Sequence, residues 1–203
     1  IGDAEGTLQN QNLMESMGVR PLPCFHFGED PKYLEHYAAN YEYMTLGGMV
    51  AQETWQLKLW LDEIWEKYLT DGSGRAKVRV HGFGLTSPEL MRRYPWYSVD
   101  SSSWVQQAKV GMLLLLPEAK GIDVSEQSPR RKVAGQHLTT FTPPLQEALF
   151  QRFEAEGVDM QRAQTTYLAR WTYNMYAYAK LGEIISAEKG ANPTFAREQP
   201  GLF

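Results

Sequence analysis

The sequence predicts an α/β fold of the (β/α) TIM-barrel type, partial or truncated at its N-terminal side, with a C-terminal helical extension. Three observations predict it. Short β-type runs alternate with helical patterns from Leu22 onward, each run closes on a glycine or a polar cluster, and the repeat has the spacing of βαβ units. Residues 1–124 form the barrel portion, and residues 125–203 a loop and helical extension packed on it. A complete barrel takes about 250 residues, so a barrel drawn from these 203 residues lacks its opening strands. The alternative α/β architecture is an open, doubly wound sheet.

Each element follows from a local signal. Ile1-Gly2-Asp3 reads as the tail of a strand, on which reading the chain is a fragment or a processed product. Thr7 to Met17 is helical and stops at Gly18. Leu22 to Phe27 is the first full strand, closed by Gly28. Asp30-Pro31 then supplies an N-cap and a first-turn proline, and Leu34, Tyr37, Ala38 and Tyr41 mark a helical stripe. Tyr43 to Leu46 is the second strand, ending at Gly47-Gly48. Leu57, Trp60, Leu61, Ile64 and Tyr68 form a long amphipathic helix that stops before Asp71-Gly72-Ser73-Gly74. Lys77 to Val80 leads into His81-Gly82-Phe83-Gly84. Thr86-Ser87-Pro88-Glu89 has capping-box spacing and starts a short helix through Arg93. Trp96 to Val99 is the fourth full strand and ends at Asp100-Ser101-Ser102-Ser103. Val110 to Leu116 is a strand or a buried helical turn, Ser125 to Gly135 a loop. Arg162 to Ser186 is a long helix with a broad aromatic face, read as a packing surface.

Composition narrows the function classes. The content of 43% apolar and 22% charged residues is that of an ordinary folded protein. The longest apolar run, Gly111 to Pro117, is far short of the roughly 20 residues of a membrane span, and no charged-then-apolar leader opens the chain. The expectation is a cytoplasmic protein with no membrane partner. The single Cys24 excludes an internal disulfide and a multi-cysteine zinc site. A thiol nucleophile is conceivable there, but Cys24 lies within the apolar stretch Pro21 to Phe27, where a core residue is the better reading. The net charge of −4 leaves nucleic-acid binding to local clusters, Arg92-Arg93 and Arg130-Arg131-Lys132, each read first as solvated surface.

No metal and no cofactor is expected. His26 and His36 lie ten residues apart with His36 on a helix, and neither His-x-His nor His-Glu-x-x-His occurs. His81-Gly82-Phe83-Gly84 has two glycines of the dinucleotide fingerprint but Ser87 in the third position. In a parallel barrel the C-terminal ends of the strands converge on one mouth. His26-Phe27-Gly28-Glu29, Gly47-Gly48, His81-Gly82-Phe83-Gly84 and Asp100 with its serines all fall at predicted strand ends. The coincidence of the four is what points to a site.

Thr45-Leu46-Gly47-Gly48-Met49-Val50, Val80-His81-Gly82-Phe83-Gly84, Ser87-Pro88-Glu89-Leu90 and Ser98-Val99-Asp100, taken in order, resemble the later barrel strands of the tRNA-guanine transglycosylases. The resemblance covers Gly18 to Val105 and is closest in character to virus-encoded and mobile-element members associated with 7-deazaguanine modification. It implies a glycosyltransferase in which an aspartate attacks the anomeric carbon, guanine leaves and a 7-deazaguanine takes its place. It also implies DNA or tRNA as partner, with the target nucleotide taken out of its stack. Gly47, Gly48 and Met49 would admit the purine or 7-deazapurine base to backbone donors. His81, Gly82 and Phe83 would wall the pocket, and His26, Phe27 and Gly28 would line it from the neighbouring strand.

In the cellular enzymes of that family the corresponding strand end carries two aspartates three residues apart, the second being the nucleophile. Here those positions are Asp100 and Ser103, which are the catalytic candidates, with Asp3 the nearest counterpart of an early acid or base aspartate. The family's cysteine-rich zinc site is missing. Two other readings stand beside base exchange. One is a barrel acting on a small molecule, with His26, Glu29, His81 and Asp100 as acid and base groups. The other is a catalytically silent binding subunit, a homo-oligomer or one that completes its barrel with a partner chain.

Overall fold

A computed structural model describes residues 2–50, 52–85 and 87–197. The chain divides into two compact units, residues 1–101 with 189–203, and residues 102–188. The expected division at residue 124 falls inside the second unit.

The first unit alternates helices with parallel strands: α1 (Ala4–Ser16), β1 (Cys24–His26), α2 (Pro31–Asn40), β2 (Tyr43–Gly47), α3 (Thr54–Ile64), β3 (Arg79–Gly82), α4 (Pro88–Arg93) and β4 (Ser98–Val99). The sheet order is β1-β2-β3-β4, all neighbours parallel, with Cys24, Thr45, His81 and Ser98 in register across it. Among the described residues β1 and β4 each pair on one side only, so this sheet is open.

Because side chains alternate along a strand, the register separates two faces. Phe25, Met44, Leu46 and Val80 point to the helices and are buried with Leu34 and Tyr37 of α2, Leu57, Leu61 and Ile64 of α3, and Leu90 of α4. Cys24, His26, Tyr43, Thr45, His81 and Ser98 take the other face. Apolar and polar residues thus alternate in sequence because one face carries the core and the other does not.

Local chemistry places the ends. Asp30 accepts a hydrogen bond from Lys32 N at 3.0 Å and caps α2, as its sequence predicts. The expected strand tail at Ile1-Gly2-Asp3 is not formed: Ile1 lies outside the described residues, and Asp3 caps α1, its Oδ1 accepting from Gly6 N at 2.8 Å. A short acceptor side chain two residues into the described chain satisfies an exposed helix amide, which a strand could not offer. The helix after β2 continues through a π-helical turn, Trp65–Leu69. Trp65 within it is fully buried and stacks on Tyr94, with ring centroids 6.1 Å apart. Thr86 of the expected capping box lies outside the described residues; Ser87 is the N-cap position of α4 and Pro88 its first residue.

Asp62 of α3 sits in this core and joins it to α4. Its carboxylate accepts from Arg93 Nε at 2.7 Å, Arg93 Nη2 at 3.0 Å and the Tyr94 hydroxyl at 2.6 Å. Burial alone raises the Asp62 carboxyl, but the bonds from Arg93 and Tyr94 outweigh it and hold the group below its ordinary 3.8.

The second unit holds α5 (Ser103–Lys109), an antiparallel hairpin of β5 (Met112–Leu115) and β6 (Lys120–Asp123), α6 (Pro143–Ala155), α7 (Met160–Thr165) and most of α8 (Tyr167–Lys189). The aromatic face of α8 packs within this unit. Tyr173 donates its hydroxyl to Leu114 O at 3.0 Å, and Trp171 stacks on Trp104. Fully buried Asn174 accepts from Leu114 N at 3.0 Å and donates to Met112 O at 2.9 Å, so its amide serves strand atoms that β6 does not. No helix among the described residues is long and apolar enough to cross a membrane.

Candidate active site

The parallel register brings the C-terminal ends of the four strands together, and two polar chains of contacts lie on the face away from the core, the first reaching back from that end to Tyr43 at the start of β2. The first runs across β2, β3 and β4. His81 Nδ1 lies 2.8 Å from Ser98 Oγ, which lies 2.9 Å from the Tyr43 hydroxyl. On the far side of the ring, His81 Nε2 is 3.8 Å from Asp100 Oδ1. That oxygen accepts from Gly84 N at 2.9 Å, while Asp100 N donates to Gly82 O at 3.2 Å. The carboxylate is thereby anchored through one oxygen to the turn after β3. Its side chain is 58% exposed, and no other protein group bonds it among the described residues. An anchored, solvent-facing carboxylate beside an imidazole can attack an electrophile or stabilise a developing positive charge.

The second chain of contacts lies on β1. His26 Nδ1 is 3.1 Å from Glu29 Oε1, His26 N donates to Glu29 Oε2 at 2.8 Å, and His26 Nε2 is 3.5 Å from Cys24 Sγ. Gly28 adopts φ +82° between them. That left-handed turn, which glycine adopts without penalty, folds Glu29 back onto the histidine three residues before it. Burial, with a smaller push from the Glu29 charge, raises the Cys24 thiol, and a hydrogen bond from Thr45 opposes it.

The glycines of the second strand end have a different use from the one their sequence suggests. A Cβ on Gly47 would come within 3.0 Å of Cys24 Sγ and of the His26 ring, and one on Gly48 within 3.1 Å of Phe27 N. Gly48 also adopts φ +73°. The space a side chain would fill at both positions is taken by the end of β1, so their smallness lets β1 and β2 close up. Phe83 is partly exposed, its ring packed edge-on against His81 with centroids 4.7 Å apart.

Several sequence candidates are placed elsewhere. Met49 is buried in the core behind the sheet. Gly82 faces that core too, a Cβ there meeting the Trp96 ring at 3.1 Å. The Phe27 ring packs edge-on against Trp60, 5.1 Å away, on the helix side. Ser103 is the first residue of α5 and belongs to the second unit. Asp3 heads α1, where the neighbouring Glu5 accepts from the Tyr33 hydroxyl at 2.8 Å in the first turn of α2. The first turns of α1 and α2 therefore lie side by side, and α2 starts just beyond the end of β1. Sequence reasoning missed Tyr43 and Ser98. Their signal, polar residues on alternate strand positions, is readable only with the strand register known.

Concavities of about 350 and 360 Å³ also occur, one in each unit. The first is in the second unit around Glu156, Arg162 and Tyr176, and the second is at the N-terminal ends of β2 and β3 around Lys77, Arg79 and Tyr97. Neither is lined by a histidine or a cysteine, so neither offers the acid-base pairs found at the rim. No group of three or more His, Cys, Asp or Glu side chains among the described residues is placed to hold a metal ion. No family model matches the chain, and a search of curated proteins found no match.

Proposed function

We propose that the chain is a base-exchange glycosyltransferase of the tRNA-guanine transglycosylase type. In this reading it replaces guanine in DNA or tRNA by a 7-deazaguanine and works in the cytoplasm of a cell or of a virus-infected host. The four-strand sheet supplies the later strands of a (β/α) barrel, completed by further strands of a second copy or of a partner chain. The single observation that carries this reading is the meeting of Asp100 with His81 at one end of a parallel sheet, 3.8 Å apart, beside the Gly47-Gly48 strand end.

Asp100 is the nucleophile. Its carboxylate attacks the anomeric carbon as the glycosidic bond breaks, guanine departs, and the ribosyl or deoxyribosyl ester formed is then attacked by the incoming deazapurine. His81, held by Ser98 through Nδ1, presents Nε2 to the same space and serves the departing and entering base as proton partner. Phe83 supplies an aromatic surface for the base. Ser103, the second residue at the aspartate pair's positions, and Asp3, the acid-base candidate of α1, remain accessory candidates in this reading. The missing cysteine-rich zinc site leaves nucleic-acid contacts to other surfaces.

Exchange of isotopically labelled guanine into nucleic acid tests the reading. The protein is incubated with labelled guanine and, separately, with bulk tRNA and double-stranded DNA. Label is expected in one polymer, and its release is expected on a chase with 7-deazaguanine. Absence of label from both, with the protein folded, would turn the assignment toward a small-molecule barrel enzyme.

A further inference from the structure

Beyond that reading, we infer that Cys24, His26 and Glu29 form a second catalytic centre, a thiol nucleophile with its base and orienting carboxylate, suited to acyl transfer from an ester or thioester. The motivating geometry is a relay of three contacts. The Glu29 carboxylate, only 6% exposed, is fixed by the His26 backbone amide at 2.8 Å and faces Nδ1 at 3.1 Å. A carboxylate only accepts, so Nδ1 of the neutral ring carries the shared proton and Nε2 is left with its lone pair. That lone pair faces Cys24 Sγ at 3.5 Å, a contact distance for sulfur. Nucleophile, base and orienter within reach of one another are what general-base activation requires.

The fold supplies this alignment rather than chance proximity. Cys24 and His26 are two apart on one strand and so share a face. The φ +82° turn at Gly28 returns Glu29 to them, and Gly47 opposite has no side chain to displace either group. Cys24 is half-buried, and the raised thiol means that it reacts as its proton leaves rather than as a standing thiolate.

In the reaction, the Sγ–H proton passes to His26 Nε2 as the S–C bond forms at the carbonyl carbon and the carbonyl electron pair moves onto oxygen. Collapse breaks the bond to the leaving alkoxide or thiolate, which takes the proton back from Nε2. The products are a thioester on Cys24 and a free alcohol or thiol. Water, deprotonated by the same nitrogen, then releases the carboxylic acid and restores the thiol.

The test uses p-nitrophenyl acetate with the full chain. The folded protein is expected to release one p-nitrophenolate per chain in a burst, with the acetyl group on the peptide holding Cys24. Its rate at neutral pH is expected to exceed that of the urea-unfolded chain by about 100-fold. His26→Asn should lose most of that advantage, Glu29→Gln about tenfold or more, and Asp100→Asn none, which separates this centre from base exchange. Acylation of folded Cys24 no faster than in urea, or an unchanged rate in a folded His26→Asn variant, would overturn the inference. In either case exchange of labelled guanine still decides the other reading.

Discussion

Asp100→Asn is expected to remove base exchange by roughly 10⁴-fold or more, while leaving the unfolding midpoint in urea within the error of the wild type. An amide oxygen still accepts the Gly84 N–H that anchors Oδ1 at 2.9 Å, so the turn after β3 keeps its bond. An amide is, however, a poor nucleophile and carries no charge to stabilise an oxocarbenium-like centre. The mostly exposed side chain contributes little to the core, so stability and turnover come apart in this variant. If Asp100 only holds the turn, the rate stays within a few-fold. Asp100→Ala would then cost about 1 kcal/mol through the lost bond to the turn amide. Steady-state rates of labelled-guanine exchange, paired with urea titrations, tell the two apart.

The largest stability effect is expected at Asp62. Asp62→Ala removes the carboxylate that receives two bonds from Arg93 and one from Tyr94 in a site closed to solvent. Taking one partner from such a buried pair costs about 3 kcal/mol or more, since the guanidinium keeps its charge while losing its bidentate acceptor. Because the folded-state carboxyl lies below its ordinary 3.8, the ionised form binds its partners more tightly than the protonated one. The stabilisation is therefore fully present above the unfolded-state pKa and is lost as pH falls through the lower folded-state value. Urea titrations of wild type and Asp62→Asn are expected to differ at neutral pH and to converge in strong acid. A constant gap between them would assign the effect to packing alone.

The sheet was legible in the sequence where residues obey one periodicity. Phe25, Met44, Leu46 and Val80 alternate with polar neighbours, and the capped helices between them leave few ways to connect parallel strands. The third strand, read as Lys77 to Val80, runs Arg79–Gly82. Val78 and Val80 gave the apolar signal, while His81 and Gly82, which pair with β2 and β4, gave none. The second hairpin strand was hidden for a related reason. Lys120–Asp123 holds Gly121, whose α-carbon lies under the Met112 side chain, and a single aliphatic residue, Ile122. Helix α6 buries only Leu149 and Phe153, too few to set a stripe.

The rim was legible in kind and less so in detail. Glycines at Gly47-Gly48 predicted a close approach of backbone, and the approach is real, but it is made by the end of β1 rather than left for a ligand. Gly82 falls on the core face because neighbours on a strand face opposite ways, and Met49, beyond the end of β2, is buried in the core as well. Cys24 read as a core residue from its apolar flanks. Its contact with His26 follows from the two-residue period of β1, whereas the contact of His26 with Glu29 depends on the turn at Gly28, which no periodicity reports. The contact of Ser98 with Tyr43 spans 55 residues and belongs to register, not to any local pattern.

A crystal of the protein soaked with guanine or 7-deazaguanine shows directly whether a base binds beside Asp100 and His81. The base is expected at the C-terminal ends of β2 and β3, its ring against Phe83 and its polar edge within hydrogen-bond distance of His81, on the side where Asp100 stands. A base bound instead among Lys77, Arg79 and Tyr97 at the opposite ends of the strands, or none bound at a saturating concentration, would contradict it.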